Sequence, residues 1–188
     1  MNVIAAPLTA YLGEQLGIQF KTQDNADVRP TQSIDTLMWN EATESIQQVP
    51  TQWGIRPNWA TKILINAQVE TAAVKPTFTR AFAQSRCLIP VSGYYEWRTE
   101  DGRKVKYLFE SSDSSPLLMG GLVFHGGQHP ELVSLTIAPN EICAEYHHRM
   151  PFFVPVDAIN YWFTSPVEQL GPLLQPLPGA AIQVSQAE

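Results

Sequence analysis

The chain has 188 residues, 44% of them hydrophobic, with five Trp, six Tyr and eight Phe and a formal net charge of −6. That length and composition suit one folded domain over residues 1–188 with a true core, and they exclude a disordered chain. The acidic balance excludes a whole-surface phosphate binder, which needs a basic face, but leaves room for a local basic groove.

Arg80, Arg86, Arg98, Arg103, Lys104 and Lys106 hold half of the 12 cationic residues, a cluster that solvated loops explain at least as well as a groove. No run approaches the roughly 20 apolar residues of a membrane span. No basic segment precedes the modest apolar run at the N-terminus, as it would in a signal peptide. Cys87 and Cys143 are too few for a disulfide framework or a structural zinc site. The expectation is a cytoplasmic monomer with no membrane contact, metal or cofactor.

In chain order, residues 1–20 offer one helix, with Pro7 near its first turn, a stripe of Tyr11, Leu12 and Leu16, and Gly17 as its stop. Residues 21–30 are polar and turn-prone. Thr31–Trp39 and Ser45–Ile55 read as short strands about an Asn40-Glu41 turn. Trp53-Gly54-Ile55-Arg56-Pro57-Asn58-Trp59 reads as a loop whose indole faces could stack bases while Arg56 meets phosphate, although two core Trp are the commoner meaning. Ile63–Thr71 is an apolar strand interrupted by Asn66 and Glu70, polar groups that need partners, and for Glu70 a structural network is the preferred reading. Thr71–Ala83 reads as a helix broken near its start by Pro76.

Cys87–Trp97 alternates like a half-buried strand and places Glu96 between Tyr95 and Trp97. A carboxyl there must be solvated, paired, or held with a raised pKa that suits proton transfer. Asp101-Gly102 then turns the chain back along Lys104–Glu110 as a hairpin. Leu117–His125 and Glu131–Ala138 pair across Gly126-Gly127, and Phe152-Phe153-Val154 is a further strand. Asp157–Phe163 is a short helix, and Ser165-Pro166-Val167-Glu168 is a capping box that opens another. The fold class is α+β, a single domain of curved, mainly antiparallel, barrel-like sheets with a few peripheral helices.

His147-His148 invites a metal, but neighbours on a strand point to opposite faces and no third ligand stands at a supporting spacing. A Cys-His hydrolase is possible in principle, although Cys87 lies in an apolar strand that usually makes a thiol inert. Asn66, Glu96 and His147 combine more economically: an amide to orient a carbonyl, a tuned Glu to move protons, and a His to protonate a leaving oxygen.

Five segments occur in order: Trp53–Trp59, Ile65-Asn66-Ala67-Gln68-Val69-Glu70-Thr71, Arg86-Cys87-Leu88-Ile89-Pro90, Gly93-Tyr94-Tyr95-Glu96-Trp97 and His147-His148-Arg149-Met150-Pro151. Together they resemble the SOS-response-associated peptidase (SRAP) family, which includes the abasic-site processing proteins. The resemblance implies curved antiparallel sheets, single-stranded DNA carrying an abasic site as partner, a covalent protein–DNA link, and associated autoproteolytic or peptidase activity. In that family a cysteine at position 2, exposed by loss of the initiator methionine, attacks the ring-opened sugar aldehyde and closes a thiazolidine. Carried across, Asn66 positions the reacting group, Glu96 is acid/base, and His147 assists ring opening. Pro30, Trp53, Arg56, Trp59, Thr136 and Arg149 fall to the DNA-binding surface.

Three departures stand out. Residue 2 is Asn, and Asn2-Val3-Ile4 resembles the residues just after the family's Cys-Gly-Arg-Phe opening; the expectation is either a start downstream of the family's own or a lost nucleophile. Gln68 stands where an Arg is often found, and the C-terminus looks short. Without the cysteine a thiazolidine cannot form, but a terminal amine can make a Schiff base with an aldehyde, giving reversible trapping or lyase-like cleavage. The competing readings are a non-catalytic single-stranded DNA-binding module and a small-substrate hydrolase using Glu96 and His147.

Overall fold

The computed structural model describes residues 1–187, over which two β-sheets and four α-helices make an α+β fold. Helix α1 (Ala5–Leu16) turns Leu8 and Leu12 into the core, with Tyr11 and Leu16 half-buried beside them. Its first free amide, on Ala5, donates to Asp24 Oδ1 at 2.7 Å. Gly17, at φ 66°, ends the helix by donating to the Gly13 carbonyl, the left-handed stop that glycine makes cheap. Strands β1 (Ser33–Asn40) and β2 (Ser45–Trp53) form the expected hairpin, with Asn40 Oδ1 closing the turn by accepting from the Ala42 and Thr43 amides.

The strand expected over Ile63–Thr71 shrinks to β3 (Asn66–Gln68), because the chain winds at once into the single turn α2 (Val69–Ala72). Thr71–Ala83 is not one helix. Pro76 forces Lys75 into extended backbone and opens α3 (Pro76–Gln84) as its first residue, so it starts a helix and does not break one.

Cys87–Trp97 is likewise two strands in two sheets. β4 (Arg86–Val91) is buried at all six positions because it lies inside the larger sheet, with α3 packed on it. Ser92 turns the corner, and β5 (Gly93–Glu100) runs into the smaller sheet. A Cβ on Gly93 would sit 2.7 Å from the Phe109 carbonyl, so this corner closes only around a glycine. β5 pairs with β6 (Arg103–Ser111) through the expected Asp101-Gly102 turn, where both residues have positive φ.

β7 (Leu117–Phe124) and β8 (Glu131–Ile137) pair antiparallel as expected. The strand expected at Phe152–Val154 is displaced: β9 (Met150–Pro151) pairs with β8, and Phe153 makes only an isolated bridge to Met119. The helix expected from Asp157 begins with a 3-10 turn, Val156–Ala158, and becomes α4 (Ile159–Thr164). Ser165 caps nothing. Pro166 is extended, Gly171 and Pro172 come soon after, and the segment forms only 3-10 turns. A last strand that the sequence reading lacks, β10 (Ile182–Gln186), pairs with β6.

The larger sheet runs β2-β1-β4-β7-β8-β3 with β9 also on β8, and it curls until the end of β2 meets the start of β8 in parallel. The curvature is barrel-like, and β3 also joins β8 in parallel. The smaller sheet runs β10-β6-β5, which leaves β5 at an edge. Leu37, Leu88, Ile89, Leu122, Leu132, Phe152 and Trp162 fill the core. One cation is buried with them. Arg86 donates to the carbonyls of Phe82, Trp162, Phe163 and Ser165 at 2.7–3.1 Å, clasping the ends of α3 and α4. It is a structural clasp and no part of a basic groove.

Candidate active site

The free edge of β5 is where the two sheets meet, and the first residues of the chain are laid along it. The Asn2 amide donates to the Gly93 carbonyl at 2.8 Å, and the Ser92 amide donates to the Asn2 carbonyl at 2.9 Å. On the other side, Met1 and Val3 exchange backbone bonds with Val28 and Asn25. Residue 1 is thereby seated at one side of a cleft of about 490 Å³. Its α-amino group donates to the Val28 carbonyl at 2.9 Å, and burial lowers its pKa from 8.0 to about 6. Lys106 assists that shift and Asp27 opposes it.

Asn66, Glu96 and His147, far apart in sequence, all line this cleft. Asn66 and Gln68 are exposed on β3 while Ala67 between them is buried, the two-residue alternation of a strand. β3 is held in register on β8 by the bond from the Ser134 amide to the Ile65 carbonyl, which also accepts from Trp53 Nε1 at 2.8 Å. Glu96 Oε1 lies 3.8 Å from His147 Nδ1. Burial pushes the Glu96 carboxyl above its ordinary range, and a charged His147 would pull it back. His147 Nδ1 is also 2.9 Å from the Arg149 carbonyl. The cleft is therefore lined by an amide, a carboxyl biased toward keeping its proton, an imidazole, and the residue that carries the buried amine.

Three comparisons bear on this arrangement. The SOS response associated peptidase (SRAP) family matches residues 6–188. The chain belongs to the SRAP family. Among its relatives, the abasic site processing protein YoaM of Bacillus subtilis is 30% identical over 169 residues, covering 82% of this chain and 73% of that protein. The abasic site processing protein YedK of Escherichia coli is 30% identical over 131 residues, covering 67% and 59%. A crystal structure of a Bordetella bronchiseptica protein shares the fold at a TM-score of 0.85 and 22% identity, covering 100% of this chain and 98% of that one.

The other expected residues of this SRAP chain divide. Trp53, Thr136 and Arg149 line the cleft with the three above. Arg56 and Trp59 do not; they border a separate depression with Pro76 and Phe124, where Trp59 is 69% exposed. Pro30 lies on an exposed turn joined to Trp53 by the bond from the Thr31 amide to the Trp53 carbonyl, next to the cleft but outside its lining. His147 and His148 do not splay apart as neighbours on a strand would. They come just after the 3-10 turn Cys143–Glu145, and their rings stand 4.3 Å apart, although no group of three potential ligands forms among the described residues. Neither thiol is a nucleophile: Cys87 is fully buried, and Cys143 is buried against Tyr94 OH, with burial raising both pKa values.

Sequence reasoning raised a terminal amine only as chemistry, without a place in the site, and gave no site role to Tyr94, Tyr95, Trp97 or His148, which line the cleft. Residues from both faces of β5 border the cleft because the strand presents its edge, a placement that alternation alone cannot reveal. The positive signal was the aromatic density around Glu96. Trp97 remains 48% exposed, which a strand end packed only for stability would not require.

Proposed function

We propose that this chain processes abasic sites in single-stranded DNA and engages the opened sugar covalently in the Glu96–His147 cleft. The observation that carries the reading is the convergence of Asn66, Glu96, His147 and Met1, whose buried amine has a lowered pKa, on one cleft of about 490 Å³. The names of the relatives point to the same lesion. A cleft of this volume accepts one unstacked nucleotide, and Trp53, Tyr95 and Trp97 offer faces for flanking bases.

An abasic deoxyribose exchanges between a closed hemiacetal and an open aldehyde. His147 takes the proton that the 1′-hydroxyl gives up and passes a proton to the ring oxygen as the C1′–O4′ bond breaks and the aldehyde forms. Asn66 orients that aldehyde. The unprotonated α-nitrogen of Met1 then attacks C1′, forming a C–N bond and a carbinolamine. Glu96, protonated, delivers its proton to the carbinolamine oxygen, which leaves as water. The nitrogen lone pair closes the C=N bond, and loss of the second N–H proton to the Glu96 carboxylate gives the neutral Schiff base. If the protonated Schiff base instead loses its C2′ proton to the Glu96 carboxylate, the resulting enamine expels the 3′-phosphate and the strand is cut, the lyase outcome.

Borohydride trapping tests this. The 188-residue chain, mixed with a single strand bearing one abasic site, is expected to yield a reduced covalent adduct, and an intact strand none. Salt-sensitive binding of both strands without any adduct would favour the non-catalytic module and sink the covalent reading.

A further inference from the structure

We propose that Glu70 is a positioning residue for His147, acting through Arg149; the proposal rests on the reading of the cleft given above. Glu70 stands on α2, one turn beyond the strand that carries Asn66. Its carboxylate accepts from Arg149 Nη1 at 2.9 Å and Nη2 at 2.7 Å, the two-pronged geometry that fixes direction as well as distance. The same carboxylate accepts from the Ala138 amide at 3.1 Å, and Arg149 Nη2 also donates to the Thr136 carbonyl at 2.7 Å. Arg149 is thus tied to α2 and to the end of β8 at once. Its buried Nε has no partner, so the two Nη atoms carry the whole anchorage.

The backbone of that anchored residue holds the imidazole. The Arg149 carbonyl lies 2.9 Å from His147 Nδ1, and Glu96 Oε1 lies 3.8 Å from the same nitrogen. The Arg149 amide also approaches Nδ1, at 3.3 Å, but the carbonyl is nearer and can only accept, so the geometry favours a proton on Nδ1 and leaves Nε2 to take a proton and pass it on. The pair itself offers little stability, since the Glu70 side chain is 41% exposed and ion pairs of that kind contribute little. Four directed bonds of small energetic return, ending one residue pair from a ring whose tautomer decides its chemistry, are the mark of orientation. Arg149 keeps the Glu70 carboxyl below its ordinary range, so the clamp stays charged throughout the neutral region.

Ring-nitrogen NMR of the 188-residue chain without DNA reads the tautomer directly. The wild type is expected to show His147 protonated at Nδ1. In Glu70→Gln, and in Arg149→Lys should the first variant not fold, the two nitrogens are expected to shift toward the average of both tautomers. In Glu70→Gln, trapping on the abasic strand at saturating protein is expected to slow about 10-fold, with strand affinity nearly unchanged. A variant of lowered melting temperature that keeps the wild-type tautomer and trapping rate would overturn the proposal, as would a wild-type His147 without the Nδ1 proton. If the wild type traps no abasic strand, the functional reading fails, and the tautomer comparison alone decides the role of Glu70.

Discussion

The seated N-terminus makes a quantitative demand. Burial moves the Met1 α-amine from a pKa of 8.0 to about 6, equivalent to roughly 3 kcal/mol against the charged form. At pH 7 the unprotonated fraction therefore rises from about one tenth to about nine tenths, close to a tenfold gain in nucleophile. The neighbouring charges give two opposed perturbations. Lys106→Met removes a cation that holds the value down, so the midpoint moves up; Asp27→Asn removes an anion that holds it up, so the midpoint moves down. The assay is the rate at which trace acylating reagent modifies the α-amine, read by mass spectrometry of the N-terminal peptide from about pH 5 to about pH 9. Stability must track the same titration. Between the folded value and the unfolded 8.0 the unfolded chain binds more protons, so the unfolding free energy rises with pH through that window. Glu96 acts oppositely at lower pH: its raised folded pKa means that its contribution falls as pH climbs through the carboxylate range. A wild-type midpoint near 8, unmoved by either substitution, would refute the seating of the amine in the cleft.

Three further outcomes are expected. Glu96→Gln and His147→Ala each slow trapping about 100-fold or more while the chain still unfolds cooperatively in urea, since both side chains are part-exposed and act as proton donors and acceptors. Arg86→Met costs about 3 kcal/mol or more in urea unfolding, because the carbonyls of Phe82, Trp162, Phe163 and Ser165 lose their shared donor; a loss below about 1 kcal/mol would contradict the clasp. Trp97→Ala weakens binding of a single strand by about 1–3 kcal/mol in fluorescence titration, and unchanged affinity would remove the indole from the binding face.

The hairpins were legible in the sequence where local chemistry decides. Asp101-Gly102 accepts positive φ and dictates the β5–β6 turn, and the apolar runs around Gly126-Gly127 announce β7 and β8. Boundaries failed where one local rule met a stronger one. Ser165 has the composition of a cap, but Pro166, Gly171 and Pro172 deny it a helix; Pro76, which reads as a break, is the residue from which α3 starts. The run from Cys87 to Trp97 hid a change of sheet at Ser92, because a corner needs only one residue and a glycine that a neighbouring backbone can approach. β10 was overlooked because its alternation is short, resting on Ile182 and Val184 alone, and its partner β6 lies more than 70 residues away in the chain. At the site, Asn66, Glu96 and His147 were legible as residue types, yet their convergence depends on β3 joining β8 in parallel and on β5 ending its sheet. The amine was legible as chemistry but not as a placed group, because no side-chain motif encodes the backbone bonds that seat residue 1.

Mapping of the borohydride-reduced adduct bears most directly on the central claim. After trapping on a single strand with one abasic site, proteolysis and mass spectrometry are expected to find the sugar remnant on the α-nitrogen of Met1, with its yield collapsing in Glu96→Gln. A remnant on a lysine outside the cleft, or no adduct while the strand stays bound, would contradict the account.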